Sequence, residues 1–294
     1  MELQSRVKEL RGRGLGLAVI SYDSREIHEA FSRQNRITFP LLSDKGSETI
    51  QRYGILNTVV DEALGPNRDD PAVKADAAKY ISAGGTVSPT RKGMAFPGTF
   101  ILDRQGRVTS RFFEDFYIER NTVSSILKRL DGRSQPVAGT KISTPHLEVV
   151  TYSSDTAVAP GNRFTFVVEI TPKRGMHVYA PGASSYRVVS LSIAEQPFVR
   201  VLGVKYPPSE IYHFKPLNER VPVYQRRFTL VQEILLEGQP SAQAAFKGKN
   251  SLTVNGTLDY QACDDRLCFN PVSLPLSWTL MLRPLVTQRP LNAQ

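Results

Sequence analysis

The chain is poor in sulfur nucleophiles: its 294 residues hold two cysteines, Cys263 and Cys268, and residues 1–145 hold none. Nothing in the first half can supply the thiolate that attacks a disulfide or a peroxide. A pair of cysteines is also too few for a closed zinc site, which His177 or His213 would have to complete. Long apolar runs are missing as well. No stretch approaches the roughly 18 residues that a membrane-spanning helix requires, so no membrane span is expected. The opening MELQSRVKELRGRG has no apolar core of the signal-peptide kind; read literally, the chain is not exported. The formal charge of +9 is not gathered into a basic stripe. Residues 1–145 carry 22 Lys/Arg against 17 Asp/Glu, an excess of 5, and the remainder carries 15 against 11, an excess of 4. That even spread, with no RNA-binding signature and no zinc-finger spacing, argues against a nucleic-acid partner.

What is present is enough for two globular domains. The hydrophobic content of 40% and charged content of 22% suit a folded chain rather than a disordered one. The first third alternates helix and strand signals. Leu3, Val7 and Leu10 share one face of a helix over 2–12 that ends at Gly12 and Gly14. LGLAVIS (15–21) suits a strand covered on both faces. Asp23 with Glu26 forms a capping box for a helix that turns Ile27, Ala30 and Phe31 inward. FPLLSD (39–44) is a short strand, GSETIQRYG a two-turn helix closed by Gly54, and GTFILD–RQG–RVTSRFF (98–113) a hairpin. A helix over 119–130 presents Val123, Ile126, Leu127 and Leu130. Residues 57–95 are too long for an ordinary connection and read as an insertion with one helix near 71–82.

Residues 132–146 are polar and rich in Gly, Ser, Thr and Pro, the composition of a linker. Beyond them the pattern turns to strands. RFTFVVEIT places Phe164, Phe166, Val168 and Ile170 on one face at period two. YQRRFTLVQEILL (224–236), NSLTVNGTLDYQA (250–262) and VSLPLSWTLML (272–282) are further strands, with Trp278 in the core. The expected architecture is two domains: an α/β domain over 1–131 and an all-β, immunoglobulin-like sandwich over 147–284, followed by a tail at 285–294.

The segment LQSRVKELRGRGLGLAVISYDSREIHEAFSRQNRITFPLLSDKGSETIQRYGI, followed by FPGTFILDRQGRV, resembles the peroxiredoxin-like redoxins of the alkyl hydroperoxide reductase and thiol-specific antioxidant family. The resemblance covers about residues 2–130 and implies a thioredoxin fold, with Pro97 as a cis-proline opposite the active-site loop. It also exposes a departure. The family's nucleophile sits at the start of the first helix, after a strand that lies between LGLAVIS and GTFILD. This sequence begins inside that helix, so the thioredoxin-like domain is incomplete at its N-terminus. An N-terminally truncated record is favoured over a genuine short form, and truncation would also account for the missing signal peptide.

The most specific motif of the second half is YQACDDRLCFNP (260–271). A disulfide between Cys263 and Cys268 would close so small a loop that chain entropy favours the folded state by only about 2 kcal/mol. A stabilising staple would gain more by tying distant strands. The polar turn DDRL leaves both sulfurs reachable, with Arg266 able to stabilise a thiolate and Asp264 and Asp265 opposing it. A reversible redox pair is preferred, with a structural hairpin disulfide and a metal site as the alternatives. With GMHVYAPG (175–182) and YPPSEIYHF (206–214), the motif resembles the N-terminal domain of the thiol:disulfide interchange protein DsbD. That resemblance implies a periplasmic electron carrier that needs no cofactor and works on thiol–disulfide partner proteins. Tyr179 and His177 are candidates to line the site, and Tyr212 and Phe214 to cap it. Cys268, flanked by Leu267 and Phe269, is expected to be the more buried sulfur. A non-catalytic binding or assembly protein with a structural disulfide is the rival reading.

Overall fold

The computed structural model describes residues 2–113, 119–131, 139–184, 186–214 and 218–284. The chain divides into two compact units. The first takes residues up to Ile126 together with Gly238–Ala245, and the second takes Leu127–Glu237 and Phe246–Pro284. The first is mixed α/β and the second is rich in strands. No helix among the described residues is long and apolar enough to cross a membrane.

In the first unit the helix Glu2–Gly12 buries Val7 and Leu10, whereas Leu3, expected on the same face, is exposed. The helix is tied to the N-terminus of a later one: Glu2 Oε1 accepts from Val123 N at 2.8 Å, and Arg6 Nη1 donates to Ser124 Oγ at 2.8 Å. The LGLAVIS strand is shorter than its apolar run suggests. Only Val19–Ser21 is a strand, paired in parallel with Leu41–Ser43. Its expected cover on both faces is also corrected, because Ile20 and Leu42 lie opposite each other and are 41% and 46% exposed. A two-stranded sheet with a helix packed on one side leaves alternate residues pointing to the open side. That helix, Arg25–Asn35, is capped by Ser24, whose side chain accepts from Ile27 N. Asp23, the expected cap, instead accepts from Ser21 Oγ at 2.6 Å. The helix buries no residue fully; Ile27 and Ala30 are exposed and Phe31 is half-buried. The marginal apolar stripe therefore rotates away from the expected face.

The insertion carries two α-helices rather than one, Thr58–Ala63 and Pro71–Ser82, and a short 3-10 turn at Pro89–Arg91. The first is under two turns, too short for its periodicity to show. Asp70 caps the second, accepting from Ala72 N at 2.7 Å, with Pro71 in the first helical turn. Val60, Tyr80 and Met94 form a small core here, with Tyr22 and Phe96 packed against it. The insertion is pinched at its base, where Asn57 N donates to Met94 O and Phe96 N to Ile55 O. Pro97 follows in an extended segment, and no peptide bond among the described residues is cis. The cis-proline expectation is therefore corrected. The backbone bonds on Asn57 and Phe96 already deliver the chain straight into the next strand, so trans, the ordinary X–Pro isomer, serves. That strand, Gly98–Leu102, forms the expected hairpin with Val108–Phe113, and Asp103 Oδ1 accepts from Gln105 N and Arg107 N across the turn. The helix expected over 119–130 is Val123–Asp131, starting later than expected because Thr122 Oγ1 caps it by accepting from Ser125 N.

The second unit is built on antiparallel ladders, apart from the parallel pairing of Ala157–Val158 with the end of Val272–Leu282. The strands Val199–Lys205, Phe228–Leu236, Asn162–Pro172, Leu147–Ser153 and Thr140–Ser143 lie side by side in that order. Thr140–Ser143 falls in the expected linker because three of its four side chains are polar, but its backbone joins the sheet edge. Residues 132–138 and the 285–294 tail lie outside the described residues. A second sheet runs Ser190–Ile193, Ser251–Tyr260, Val272–Leu282 and Ala157–Val158. Phe164, Phe166, Val168 and Ile170 are fully buried. Phe166 stacks on Trp278 with ring centroids 4.3 Å apart, joining the two sheets through the core. The stretch 224–236 is not one strand, since Glu219–Tyr224 and Phe228–Leu236 belong to different sheets.

Candidate functional site

A third, smaller sheet carries the cysteines. Its strands are Glu210–Phe214, Glu219–Tyr224, His177–Tyr179 and Ala262–Cys263, in that order. The long strand Ser251–Tyr260 leaves its own sheet at Gln261, and the next two residues pair with His177–Tyr179, placing Cys263 opposite His177. Cys263 and Cys268 are disulfide-bonded, with Cα atoms 4.0 Å apart and a single bridge between their backbones. The intervening turn is locked by its own polar groups. Asp264 N donates to Leu267 O at 3.0 Å and Phe269 N to Ala262 O at 2.9 Å. Asp264 Oδ1 accepts from Arg266 N at 2.7 Å and from Leu267 N at 2.6 Å. The charged DDRL stretch thus makes a tight, solvated turn because an Asx side chain substitutes for missing backbone acceptors.

The two sulfurs are not equivalent. Cys263 is 1% exposed, whereas Cys268 is exposed. The expected order is reversed: the side chain of Leu267 points to solvent, 59% exposed, and shields nothing. The hydroxyl of Tyr179 stands 3.3 Å from each sulfur. Tyr179, Val221, Val223 and Cys263 form a buried cluster, with Ala183, Tyr186, Val188 and Tyr212 packed against it. Tyr186 stacks on Tyr179 with centroids 4.0 Å apart, and its hydroxyl donates to Glu219 Oε2 at 2.5 Å. His177 lies against Tyr212 at 4.6 Å and meets Tyr179 edge-on at 5.7 Å.

The electrostatics follow from this packing. Burial pushes the Tyr179 phenol well above its usual range, helped by Tyr186 and Glu219. The Tyr186 phenol is raised chiefly by its hydrogen bond to Glu219. Burial lowers His177, opposed by the charge of Asp264. Asp264 is lowered first by the N–H groups of Arg266 and Leu267, then by the Arg266 charge and by His177.

Of the residues singled out from sequence, the structure brings Tyr179, His177 and Tyr212 to the cysteines. Phe214 lies at the end of the Tyr212 strand, half-buried, and is not among the residues packed on the cluster. Arg266 engages Asp264. Pro97 belongs to the other unit. His213 faces Asn218, with Nε2 3.1 Å from its Oδ1, and among the described residues no group of three or more His, Cys, Asp or Glu is placed to hold a metal. Sequence reading missed Tyr186, Glu219, Val221 and Val223. The valines were within reach, since ERVPVY alternates at period two. Tyr186 and Glu219 carry no local signal, because they meet only through the fold.

A buried sulfur and an exposed one, joined across a tight turn and roofed by aromatic rings, define this part as a strand-rich domain with an accessible disulfide. The family comparison is more specific. Residues 148–274 match the family of the N-terminal domain of the thiol:disulfide interchange protein DsbD, and residues 1–111 match the AhpC/TSA family. The two suspected family resemblances hold, each over its own part of the chain, and both families point to thiol–disulfide redox function. No curated protein sequence matches the chain. Among solved structures, the N-terminal periplasmic domain of ScsB from Proteus mirabilis is similar at 12% identity and a TM-score of 0.33, covering 46% of this chain and 49% of that one. The chain therefore spans about half of that protein's length. The reduced N-terminal domain of DsbD from Neisseria meningitidis is similar at 13% identity and a TM-score of 0.25, covering 40% of this chain and 80% of that one. Likenesses this slight carry no part of the argument.

Proposed function

We propose that the second part of the chain is an immunoglobulin-like module that exchanges electrons with thiol–disulfide partner proteins through Cys263 and Cys268. The asymmetry of the pair carries the reading. A partner thiolate can reach the exposed Cys268 and attack its Sγ. A mixed disulfide forms, the Cys263–Cys268 bond breaks, and the electron pair leaves on Cys263. A second partner thiol then displaces Cys268 from the mixed disulfide, leaving the dithiol, which passes its two electrons on by the reverse steps. Cys268 is the sulfur that meets partners and Cys263 the one that resolves. Tyr179 orients on both sulfurs, while His177 and Tyr212 wall the site. Phe214 extends the cap outward, and Arg266 holds the turn through Asp264. No metal or cofactor enters this chemistry.

The first part is assigned a thioredoxin-like fold of the redoxin kind. Without a cysteine in residues 1–145, it contributes no thiolate, and any peroxidase or thioredoxin-like step needs a cysteine from elsewhere. Its Pro97 has no part in the exchange at Cys263 and Cys268. The place of work is extracytoplasmic, where an accessible disulfide persists. The deciding measurement is the reduction potential of the pair, by equilibration with a glutathione or dithiothreitol couple. A value between about −270 and −120 mV is expected, the range of thiol–disulfide exchange proteins. A value below about −300 mV would instead mark a structural disulfide and favour a binding or assembly protein.

A further inference from the structure

The buried member of the pair poses a problem that the exchange reaction must solve. A reduced Cys263 carries a proton, and only its thiolate can attack a mixed disulfide on Cys268. At 1% exposure, Cys263 is closed to solvent water that could take the proton. One hydroxyl touches it, that of Tyr179 at 3.3 Å, and Tyr179 is itself only 4% exposed. The Tyr186 ring stacks on Tyr179 with centroids 4.0 Å apart, the two phenols interact side chain to side chain, and Tyr186 donates to Glu219 Oε2 at 2.5 Å. The phenols thus lead from the sulfur to a carboxylate, and Glu219 is partly exposed.

We propose that Tyr179, Tyr186 and Glu219 form a proton relay that deprotonates the buried Cys263 when it resolves a mixed disulfide. This rests on the exchange reading above. Cys263–SH gives its proton to the Tyr179 oxygen, Tyr179 passes its own to Tyr186, and Tyr186 passes its own to the Glu219 carboxylate. The Cys263 thiolate attacks Cys268 Sγ, the intramolecular disulfide forms, and the partner sulfur leaves with the electron pair as a thiolate. Glu219 then releases its proton to water. In the opposite direction the same chain protonates Cys263 as it leaves. The remaining titratable groups around Tyr179 and the sulfurs are His177, Tyr212, Asp264 and Arg266. Burial favours neutral His177, Tyr212 packs on His177, and Asp264 is committed to the N–H groups of Arg266 and Leu267. Glu219 is the carboxylate that accepts from Tyr186, the outer of the two stacked tyrosines. It acts through them rather than on sulfur, so its role is that of a relay and positioning residue.

The test is oxidation of the reduced full chain by the aromatic disulfide DTNB. The first thionitrobenzoate leaves when Cys268 forms the mixed disulfide, and the second leaves when Cys263 resolves it. Glu219→Gln and Tyr186→Phe should leave the first phase unchanged and slow the second at pH 7 by about 100-fold, the low end for general acid–base help. The deficit should shrink as the pH rises through about 8.5, where a thiol ionises unaided. Glu219→Asp should recover part of the rate. For the parent chain, deuterated solvent should slow the second phase and spare the first, an arm that needs no variant to fold. Variants with parent-like second phases at every pH, or a slowing that is the same at all pH values, would overturn the relay, as would a second phase of the parent chain insensitive to deuterium. A parent chain that releases no second thionitrobenzoate would overturn the exchange reading itself.

Discussion

The inequality of Cys263 and Cys268 has consequences at the residue scale that need no partner protein. After reduction, an alkylating reagent should modify Cys268 several-fold faster than Cys263, as read by mass spectrometry of the two cysteines over time. Equal rates would mean that burial in the closed hairpin does not persist once the bond is cut. His177 gives a second prediction. Its imidazole is 5% exposed, and burial lowers its proton affinity below that of the unfolded chain. Its contribution to stability is therefore present above the unfolded value of about 6.5 and is lost as the pH falls through the lower folded value. The unfolding midpoint should fall more steeply between about pH 7 and pH 5 for the parent chain than for His177→Gln, since only the parent must bury or charge an imidazole. Parallel curves would show that the ring titrates alike in both states.

At the scale of elements, the Ser251–Tyr260 strand matters most, because it sits between two neighbours in one sheet and delivers the cysteines to another. Gly256 lies in its middle, opposite Ile193 and Leu276. A Cβ there would stand 2.6 Å from the Ser192 carbonyl oxygen and 3.1 Å from both the Ile193 side chain and the Trp278 ring. A backbone carbonyl cannot swing aside as a flexible side chain does. Gly256→Ala should therefore destabilise the fold by about 1–3 kcal/mol, the usual cost of overpacking a filled interior. Chemical denaturation followed through the single tryptophan would read this, since Trp278 is the residue being crowded; an unchanged midpoint would show that the neighbouring strand yields.

For the whole molecule, the hairpin disulfide is a weak brace. Cys263 and Cys268 are five residues apart, so closing their loop stabilises the fold by only about 2 kcal/mol in the chain-entropy account. Reduction should lower the unfolding free energy by about that amount and leave the second unit folded, with its far-ultraviolet circular dichroism intact. Unfolding on reduction would identify the bond as a structural requirement and count against a working redox pair. A domain that stays folded in both redox states is what a carrier of electrons requires.

How much of this was legible beforehand follows from the range over which each signal acts. Periodicity and turn chemistry are local, so the 98–113 hairpin, the buried face of Phe164, Phe166, Val168 and Ile170, and the pairing of Cys263 with Cys268 could be read from short stretches of sequence. The motif YQACDDRLCFNP, together with the absence of cysteine from residues 1–145, located the thiol chemistry. Burial is not local. Leu267 looked like a shield for Cys268, yet the Asp264 turn directs it into solvent, and the sulfur that disappears from water is Cys263, because its backbone pairs with His177. Tyr186 and Glu219 lie 33 residues apart and 77 and 44 residues before Cys263, with no pattern linking them. Only the small sheet that sets the strands from residues 177 and 219 side by side lets Glu219 meet the tyrosines at the disulfide. The sequence alone determined which two sulfurs can pair; the tertiary structure decided which of them is exposed and which groups attend the other, because exposure and hydrogen bonding depend on strands distant along the chain.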